Sequence, residues 1–453
     1  MDGREGMFSQ AAAGRALGAS PRPAATSAVR FLERLFEARR PRHAGFRLWT
    51  GEQWPANGTP EALLVLNRPE SLRNMFGAGT EKALAEAYLR GDFDIEGDLE
   101  AAFEIADLLR TGPRSRRIGL LWALLRLPKA PPAASARHAL HSRSAQHSLE
   151  RDRGAIAFHY DISNDFYRLW LDRNLVYSCG YFESRSGSLE GAQVGKFDHI
   201  CRKLRLQPGQ ALLDIGCGWG GLAIHAARNY GARVVGVTLS KNQAALARER
   251  AAAEGLGRQV EIRCSDYREL ADPERFDAVV SVGMAEHVGS QRLGEYFGRV
   301  YRLLKPGGAF LNHAIGEGCR YDPTRGPSFI DQYVFPDSDI PPVQTVLARA
   351  AESGFEVRDV ENLREHYAIT LRHWVRRLEA GHDAALKFVA ESTYRIWRLY
   401  MAGSAYGFKQ GRLAIYQTLL VKLDDGGAAH VPLTRADWYR QAGYPEALPK
   451  AAA

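Results

Sequence analysis

Short apolar runs alternate with segments of helical periodicity along the second half of the chain. The apolar runs predict strands at residues 211–214, 233–237, 260–263, 276–281, 308–312 and 414–423. Helical patterns occupy residues 221–230 and 242–254, between the first three of these runs. Strands that alternate with helices indicate a mostly parallel sheet covered by helices. We therefore predict an α/β fold for this half of the chain.

Two segments interrupt that alternation. Residues 316–342 are rich in Pro, Asp and Gly and predict a long irregular insertion, which inside a compact domain is usually functional. Residues 366–406 have helical periodicity with aromatic faces. We expect these two segments to form a lid over the sheet.

The first part of the chain is organised differently. An apolar run at residues 62–66, a helical pattern at 82–89 and a turn-rich stretch at 91–98 predict a small α+β domain over residues 31–110. Residues 1–28 are rich in Ala, Gly, Ser and Pro, a composition typical of disorder, so we assign residues 1–30 to a disordered N-terminus. The remaining boundaries give a linker at 111–153, an α/β domain at 154–425 and a C-terminal tail at 426–453.

The linker region is strongly basic. Residues 110–153 contain ten Arg and Lys residues but only Glu150 and Asp152, and they enclose the apolar run 118–125. A short apolar helix flanked by cations is typical of an interfacial membrane segment. A solvated linker with a helix docked on a domain explains the pattern equally well.

Composition narrows the possible partners and the compartment. The formal charge of +8 and the pI near 9.2 favour an anionic partner, either a nucleic acid or an anionic membrane surface. No apolar stretch is long enough to span a bilayer, and the N-terminus lacks the apolar core of a signal peptide. We expect a cytoplasmic protein. The five cysteines are scattered without C-x-x-C spacing, which argues against disulfides and against a metal site.

The strongest chemical motif follows the run at 211–214. Asp214 precedes three glycines at alternate positions, Gly216, Gly218 and Gly220, which let the backbone approach a ligand without Cβ clashes. The turn also matches the dinucleotide pattern G-x-G-x-x-G. However, no acidic residue ends the next strand at Thr238 to hold a ribose diol, which argues against NAD. Asp-x-Gly-x-Gly-x-Gly is the usual pattern of class I methyltransferases, and a tight turn without a ligand is the alternative.

Several further motifs occur in a characteristic order: residues 159–167, 177–182, 235–243, 281–289 and 313–316. With them the chain resembles the cyclopropane-fatty-acyl-phospholipid synthase family, including the mycolic acid cyclopropane synthases. The resemblance covers about residues 154–423 and extends more weakly into 31–110. It implies a Rossmann-like class I methyltransferase sheet with a helical lid over residues 154–425.

The resemblance also implies roles for individual residues. S-adenosylmethionine would be bound by a set of residues from the motifs: Tyr177, Ser178, Asp214, Gly216, Gly218, Gly220, Thr238, Gln243, Asp266 and Tyr267. Family members are similar in holding a bicarbonate ion at the reacting centre, and the matching positions are Cys179, Glu286, His313, Ile315 and Tyr367. Taken alone, Cys179 is also compatible with a packing role, and His313 with a structural hydrogen bond.

Two positions depart from the family pattern. Ala285 stands where most relatives have Phe, which would enlarge the acyl pocket. Ser404 stands where many relatives have Cys, so a covalent-thiol mechanism is excluded at that site. Aromatic residues are candidates for lining the acyl pocket and stabilising positive charge: Tyr181, Phe182, Phe335, Tyr394 and Tyr406.

The implied activity is transfer of a one-carbon unit to the cis double bond of an unsaturated phospholipid acyl chain, giving a cyclopropane. The alternatives are a methylene- or methyl-branched product, a small-molecule C-methyltransferase and a catalytically silent lipid-binding protein. The implied partners are unsaturated phospholipid acyl chains and an anionic membrane, bound peripherally at the inner membrane. No nucleic-acid partner is implied, because no amino-methylation motif follows the fourth strand. A homodimer is left open.

Overall fold

The chain forms two compact units, residues 1–135 and 136–453, in a computed structural model. The residues described are 21–111, 117–129, 163–271, 273–323, 329, 333–334 and 339–439. The predictions for residues 1–20 and 130–162, for Phe335 and for the end of the C-terminal tail lie outside these residues, as does much of the insertion at 316–342.

The first unit is built on a mixed four-stranded sheet in the order β2-β1-β3-β4. The strands are β1 Ala44–Arg47, β2 Gln53–Trp54, β3 Ala62–Leu66 and β4 Phe93–Gly97. The helices are α1 Pro21–Leu35, α2 Ser71–Phe76, α3 Glu81–Leu89, α4 Leu99–Thr111 and α5 Arg117–Leu125. Strand β3 buries every second residue, so its apolar run covers the core with one face.

Two predictions for this unit are wrong. Residues 21–28, expected to be disordered, begin α1, whose Ala28, Phe31 and Leu32 are fully buried. The stretch expected to be a turn contains β4, because Phe93 and Ile95 point inward and pair against β3. Gly and Asp residues flank this short strand at both ends, so its alternation of apolar and polar residues is difficult to recognise in the sequence.

Helix α5 packs against α1 and leaves part of its apolar surface exposed. Leu124 and Leu127 are buried, and Arg73 Nη1 donates to the carbonyl oxygen of Leu127 at 2.9 Å. On the outward side the exposed fractions are 55% for Leu121, 64% for Trp122 and 52% for Leu125. We call these three residues the α5 face. None of the helices in the described residues is long and apolar enough to cross a membrane.

The second unit contains a seven-stranded sheet in the order β10-β11-β9-β8-β5-β6-β7. The strands are β5 Ala211–Ile215, β6 Arg233–Thr238, β7 Val260–Cys264, β8 Phe276–Val282, β9 Leu304–Glu317, β10 Glu356–Asn362 and β11 Leu413–Val421. Strands β5 to β9 run parallel, and β11 lies antiparallel between β9 and β10. The predicted Rossmann-like α/β fold is confirmed.

Helices cover both faces of this sheet. They are α6 Asn164–Arg168, α7 Leu189–Lys203, α8 Gly221–Tyr230, α9 Lys241–Ala253, α10 Leu293–Leu303, α11 Val343–Glu352, α12 Arg364–Ala380, α13 His382–Ala385 and α14 Glu391–Lys409. One apolar core packs α7, α8 and α9 on one face, and a second packs α10 and α11 on the other. Helices α12 and α14, predicted from the aromatic periodicity, pack on each other.

The expected C-terminal tail is partly folded onto this unit. Trp438 is 3% exposed and belongs to the core beneath the sheet. Arg205 Nε donates to Asp437 Oδ2 at 2.8 Å, and Arg435 Nη2 lies 2.9 Å from Asp359 Oδ1. The prediction of a tail beginning at residue 426 is therefore wrong for residues up to 438, because an aromatic side chain there completes the core.

Candidate active site

The glycine turn joins β5 to α8 through left-handed backbone. The φ angles are +78° at Gly216, +54° at Gly218 and +79° at Gly220, a region that favours glycine. The backbone N–H groups of Gly216 and Cys217 both donate to Val237 O on β6, which folds the turn back over the sheet. A Cβ at Gly220 would lie 3.0 Å from Ala247 Cβ, so this glycine also allows α9 to approach.

The turn is one wall of a cavity at the carboxyl ends of the parallel strands, where α/β folds bind ligands. The cavity is lined by nine of the ten residues predicted to bind the cofactor: Tyr177, Ser178, Asp214, Gly216, Gly218, Thr238, Gln243, Asp266 and Tyr267. The exception, Gly220, packs against α9 instead. Residues that the sequence did not single out complete the lining, among them Lys196, Trp219, Ser265, Met284, His287 and Arg292.

Asp214 is the buried acid of this cavity. Its side chain is 2% exposed, and its Oδ2 has no hydrogen-bond partner in the described residues. Burial raises the pKa of Asp214 to about 7, and the nearby charge of Lys196 opposes that shift. Since leaving a buried acceptor unsatisfied is costly, this oxygen fits a ligand donor such as an ammonium group.

The far side of the cavity is held by short side-chain bonds. Thr238 Oγ1 donates to Gln243 Oε1 at 2.8 Å, and Ser240 N donates to Thr238 Oγ1 at 3.3 Å. The Asp266 carboxylate accepts from both Arg268 Nε and Nη2, at 2.9 and 2.8 Å. These bonds place the polar groups before any ligand arrives, as a preorganised site requires.

Glu286 lies in a 3₁₀ turn that directly follows β8. Its Oε1 accepts from the backbone N–H of Ile315 at 2.8 Å, so two of the predicted catalytic positions are in direct contact. Its Oε2 has no partner in the described residues, and burial raises the pKa of Glu286 to about 7. Met284 and His287 from the same turn line the cofactor cavity, so the turn that carries Glu286 forms part of the cavity wall.

His313 lies on β9, two residues before Ile315 and therefore on the same face of the sheet. Gln417 Nε2 on β11 lies 3.1 Å from His313 Nδ1, and the amide donates if the ring proton is on Nε2. That Nε2 is buried without a partner in the described residues. Burial lowers the pKa of His313 well below its usual value, so the ring is neutral and presents one N–H donor.

Cys179 lies near the start of α12, the helix that carries Tyr367. The Cys179 thiol is fully buried, and its Sγ lies 3.9 Å from the carbonyl oxygen of Leu363, the residue that precedes the helix. Burial raises the pKa of this thiol, so it is a neutral thiol at physiological pH. The Tyr367 ring packs on Phe408, 4.8 Å between centroids.

An aromatic cluster that the sequence did not identify surrounds Tyr177. It consists of Tyr167, Trp170, Tyr177, Trp374, Trp397 and Tyr400, whose neighbouring rings lie 5.3–6.0 Å apart. Tyr177 Oη donates to Tyr400 Oη at 3.2 Å. Burial raises the pKa of Tyr400 to about 12, and the charge of Glu286 adds to that shift. The spacing of Trp397 and Tyr400 on one helical face was the available signal.

The aromatic residues Tyr181, Phe182, Tyr394 and Tyr406 do not line the cofactor cavity, and their role in an acyl pocket stays a prediction. Tyr181 stacks between His199 and His366, with centroids 4.2 and 5.1 Å away. Phe182 stacks on His373 at 5.8 Å. In the described residues, no cluster of His, Cys, Asp or Glu is arranged to hold a metal ion.

A glycine turn after an interior parallel strand, an acid directly before it and a cavity along the next two strands define a class I S-adenosylmethionine-dependent methyltransferase. The fold agrees with the solved mycolic acid cyclopropane synthase CmaA1 in complex with SAH and CTAB. That structure is 35% identical, has a TM-score of 0.57, and is matched over 59% of this chain and 97% of its own.

Sequence comparison gives the family. The profile described as mycolic acid cyclopropane synthetase matches residues 147–418, and the chain belongs to this family. A probable fatty acid methyltransferase of Pseudomonas putida is 41% identical over 87% of this chain and 95% of the relative. Cyclopropane-fatty-acyl-phospholipid synthase of Escherichia coli is 40% identical over 59% of this chain and 68% of the relative. The predicted family and methyltransferase activity are confirmed.

Proposed function

We propose that the protein transfers a one-carbon unit to the cis double bond of an unsaturated phospholipid acyl chain and closes it to a cyclopropane. The observation that carries this proposal is the buried Glu286 carboxylate, which keeps one oxygen without a partner in the described residues and belongs to a turn that forms part of the cavity wall. Ring closure needs a proton acceptor near the reacting carbon, because a proton must leave the new methyl group.

We propose that a small oxyanion such as bicarbonate binds to Glu286 and His313. Glu286 Oε2 is an acceptor for its O–H, and the N–H of His313 Nε2 is a donor for its charged oxygen. We propose that Cys179, Ile315 and Tyr367 complete the site that holds the ion. The bound ion would supply a base close to the reacting carbon.

The residues of the chain contribute to the chemistry by positioning the cofactor and by stabilising the charge that develops on the substrate. Bound S-adenosylmethionine supplies an electrophilic methyl group, and Asp214 and the glycine turn fix its place in the cavity. Glu286 adds negative charge where the alkene becomes positive, and the faces of Tyr177 and Tyr400 stabilise a cation. The buried aromatic cluster excludes water, which would otherwise capture that cation.

A second candidate product is a methyl- or methylene-branched acyl chain. The Pseudomonas putida relative is described as a probable fatty acid methyltransferase. A branched product would need the same first step, transfer of the methyl group to the double bond. Ala285 and Ser404 are both buried, at 5% and 6% exposure, so neither departure from the family pattern opens the site to solvent. The branch point between the two products is which proton is removed after methyl transfer.

Lipid analysis of a host that expresses the protein tests the proposal. Membrane lipids are extracted, hydrolysed and examined by mass spectrometry and proton NMR. We expect a mass gain of one CH₂ and ring protons upfield of all other lipid signals. The same mass gain without those signals would assign the branched product, and unchanged lipids would contradict acyl methylation.

We further propose that the protein reaches its substrate on an anionic membrane surface, through the α5 face. The three exposed apolar side chains stand beside Arg126 and Lys129, which are also exposed. An apolar face next to cations favours binding in the headgroup region. The location at the inner membrane and the homodimer stay predictions.

A further inference from the structure

Lys196 is a buried cation in the wall of the cofactor cavity. It lies in the second half of α7, is 1% exposed, and its Nζ donates to Ser178 Oγ at 2.7 Å. Taking an ammonium out of water costs several kcal/mol unless charge or hydrogen bonds compensate. The hydroxyl and the Phe197 ring, whose centroid lies 5.2 Å from the Lys196 Nζ, are both neutral and offset only part of that cost, so the position of this charge needs another explanation.

Two buried acids lie near this ammonium without bonding to it. Burial lowers the pKa of Lys196 to about 8, and the charges of Asp172 and Asp214 oppose the shift. The Asp172 carboxylate already accepts from the N–H groups of Asn174 and Val176, at 2.9 and 2.8 Å. Asp214 Oδ2 has no partner in the described residues. The wall of one cavity therefore carries both a buried ammonium and a buried carboxylate.

The other cationic side chains that line the cavity are either ion-paired or partly exposed to solvent. Arg268 is held by both oxygens of Asp266. Arg292 is half-buried, so its charge is partly screened by solvent. Lys196 is the buried cation at the end of the cavity where Ser178 and Asp214 lie.

We propose that Lys196 and Asp214 act as a charge pair that recognises the zwitterionic amino-acid end of the cofactor. Asp214 receives the ammonium group, and Lys196 together with Ser178 receives the carboxylate. The proposal deepens the cofactor assignment and rests on it. Lys196 and Ser178 are thus residues that select an adenosyl ligand by its carboxylate.

The bond between Lys196 and Ser178 determines which ligand group the Ser178 hydroxyl can bind. Because Ser178 Oγ accepts from the ammonium, its own hydroxyl hydrogen is available to donate to a carboxylate oxygen. Without the lysine, the ligand carboxylate would share a buried site with the Asp214 carboxylate, and only the ligand's own ammonium would oppose the two negative charges. Like charges in a dry site repel strongly, so affinity for the complete amino acid would fall.

Calorimetry with the full chain and two ligands tests the proposal. S-adenosylmethionine and its decarboxylated analogue differ only in the group that Lys196 would contact. A hydrogen bond to a charged group is worth about 1.5–3 kcal/mol, so we expect the wild type to prefer the complete cofactor by about 10- to 100-fold. Lys196→Met should reduce that preference to near one, mainly through weaker binding of S-adenosylmethionine, and Lys196→Arg should restore part of it.

Lys203→Met is the matched control. Lys203 lies on the same helix and is equally buried, but its Nζ bonds Asp359 and Glu361, at 2.9 and 2.6 Å. Any general cost of removing a buried lysine should appear in both variants, whereas the ligand preference should change only in Lys196→Met.

Three outcomes would overturn the assignment of Lys196. In the first, the wild type binds both ligands with equal affinity. In the second, Lys196→Met loses the same affinity for both ligands. In the third, Lys203→Met shows the same change in ligand preference as Lys196→Met. The first needs no variant, so the test holds even if the substitutions fail to fold. A wild type that binds neither ligand would instead contradict the cofactor site itself.

Discussion

Gly218 is the residue of the turn at which a side chain would have most effect on ligand binding. A Cβ at this position would meet no atom within 4 Å, and the residue lines the cavity. A larger side chain would therefore occupy space that the cofactor needs. We expect Gly218→Val to abolish binding of S-adenosylmethionine by calorimetry, while the folded chain persists by circular dichroism.

Backbone strain must be separated from this steric effect. Gly255 follows α9, has a left-handed φ of +71° and also has open space around a built Cβ, but it lies outside the cavity. Gly255→Val should cost comparable stability and leave cofactor affinity unchanged. Wild-type affinity in Gly218→Val would contradict the assignment of the turn.

Replacing Glu286 by Gln tests the proposed centre. The amide keeps the shape and still accepts from Ile315 N, but it lacks the charge that balances a developing cation. We expect unchanged cofactor affinity and a loss of turnover of about 10²- to 10⁴-fold, the range for positioned acid–base groups. Removal of dissolved carbon dioxide should slow the wild type, and added bicarbonate should restore it. Full activity of the variant would exclude Glu286 from the mechanism.

The same substitution should stabilise the fold. Burial raises the pKa of Glu286 to about 7, so the folded chain holds this proton more tightly than the unfolded chain. Between the unfolded pKa of about 4.5 and about 7, the free energy of unfolding therefore falls as pH rises, and the full cost is present above about 7.

Thermal melts at two pH values measure this effect. The Tm of Glu286→Gln should exceed that of the wild type by a few degrees at pH 8, and the two should converge near pH 5. Glu249→Gln, on an exposed position of α9, should show no such difference. An equal Tm at pH 8 would mean that Glu286 is not buried as an anion.

Sequence reasoning identified the residues whose motifs are local. Asp214 and the turn glycines sit within seven positions, and Glu286 directly follows an apolar strand. Sequence reasoning did not identify Lys196 and Tyr400, because their roles arise from tertiary contacts. A lysine inside a helix pattern predicts a solvated face, and only the fold reveals that Ser178 and Asp214 surround it.

At the scale of elements, apolar runs predicted every strand of the seven-stranded sheet except the edge strand β10. Strand β10 contains Glu356, Arg358, Asp359 and Glu361 and pairs only with β11. Its inward carboxylates are accommodated because Lys203 on α7 bonds Asp359 and Glu361. An edge strand whose inner face is ion-paired shows no hydrophobic alternation, so the sequence gives no strand signal there.

Helix α5 is the element whose exposed surface makes a separate prediction. We expect the full chain to bind vesicles that contain anionic lipid and to release them as salt rises, because cations near the surface are screened. Replacing Leu121, Trp122 and Leu125 by Ser should weaken binding even at low salt, measured by vesicle sedimentation. Leu109→Ser, which removes an exposed leucine from α4, should bind as the wild type does. Equal binding to neutral and anionic vesicles would contradict the electrostatic part.

At the scale of the whole molecule, the two units carry different parts of the proposed function. The first unit carries the α5 face, and the second carries the glycine turn, Glu286 and the aromatic cluster. Each unit has its own sheet and its own buried residues, so a surface change in the first should leave the second folded. Access to the lipid and the chemistry on the acyl chain are then separable by experiment.

The α5 triple variant should separate them. On phospholipid vesicles we expect its turnover to fall in proportion to its lost binding, because the acyl chain must be reached from the bilayer surface. On the same phospholipid dispersed in detergent micelles, where no bilayer must be engaged, its turnover should match that of the wild type. Glu286→Gln should be slow in both assays, since it changes the chemistry rather than the access. Equal losses of the triple variant in vesicles and in micelles would show that α5 supports the fold or the site instead of the membrane contact.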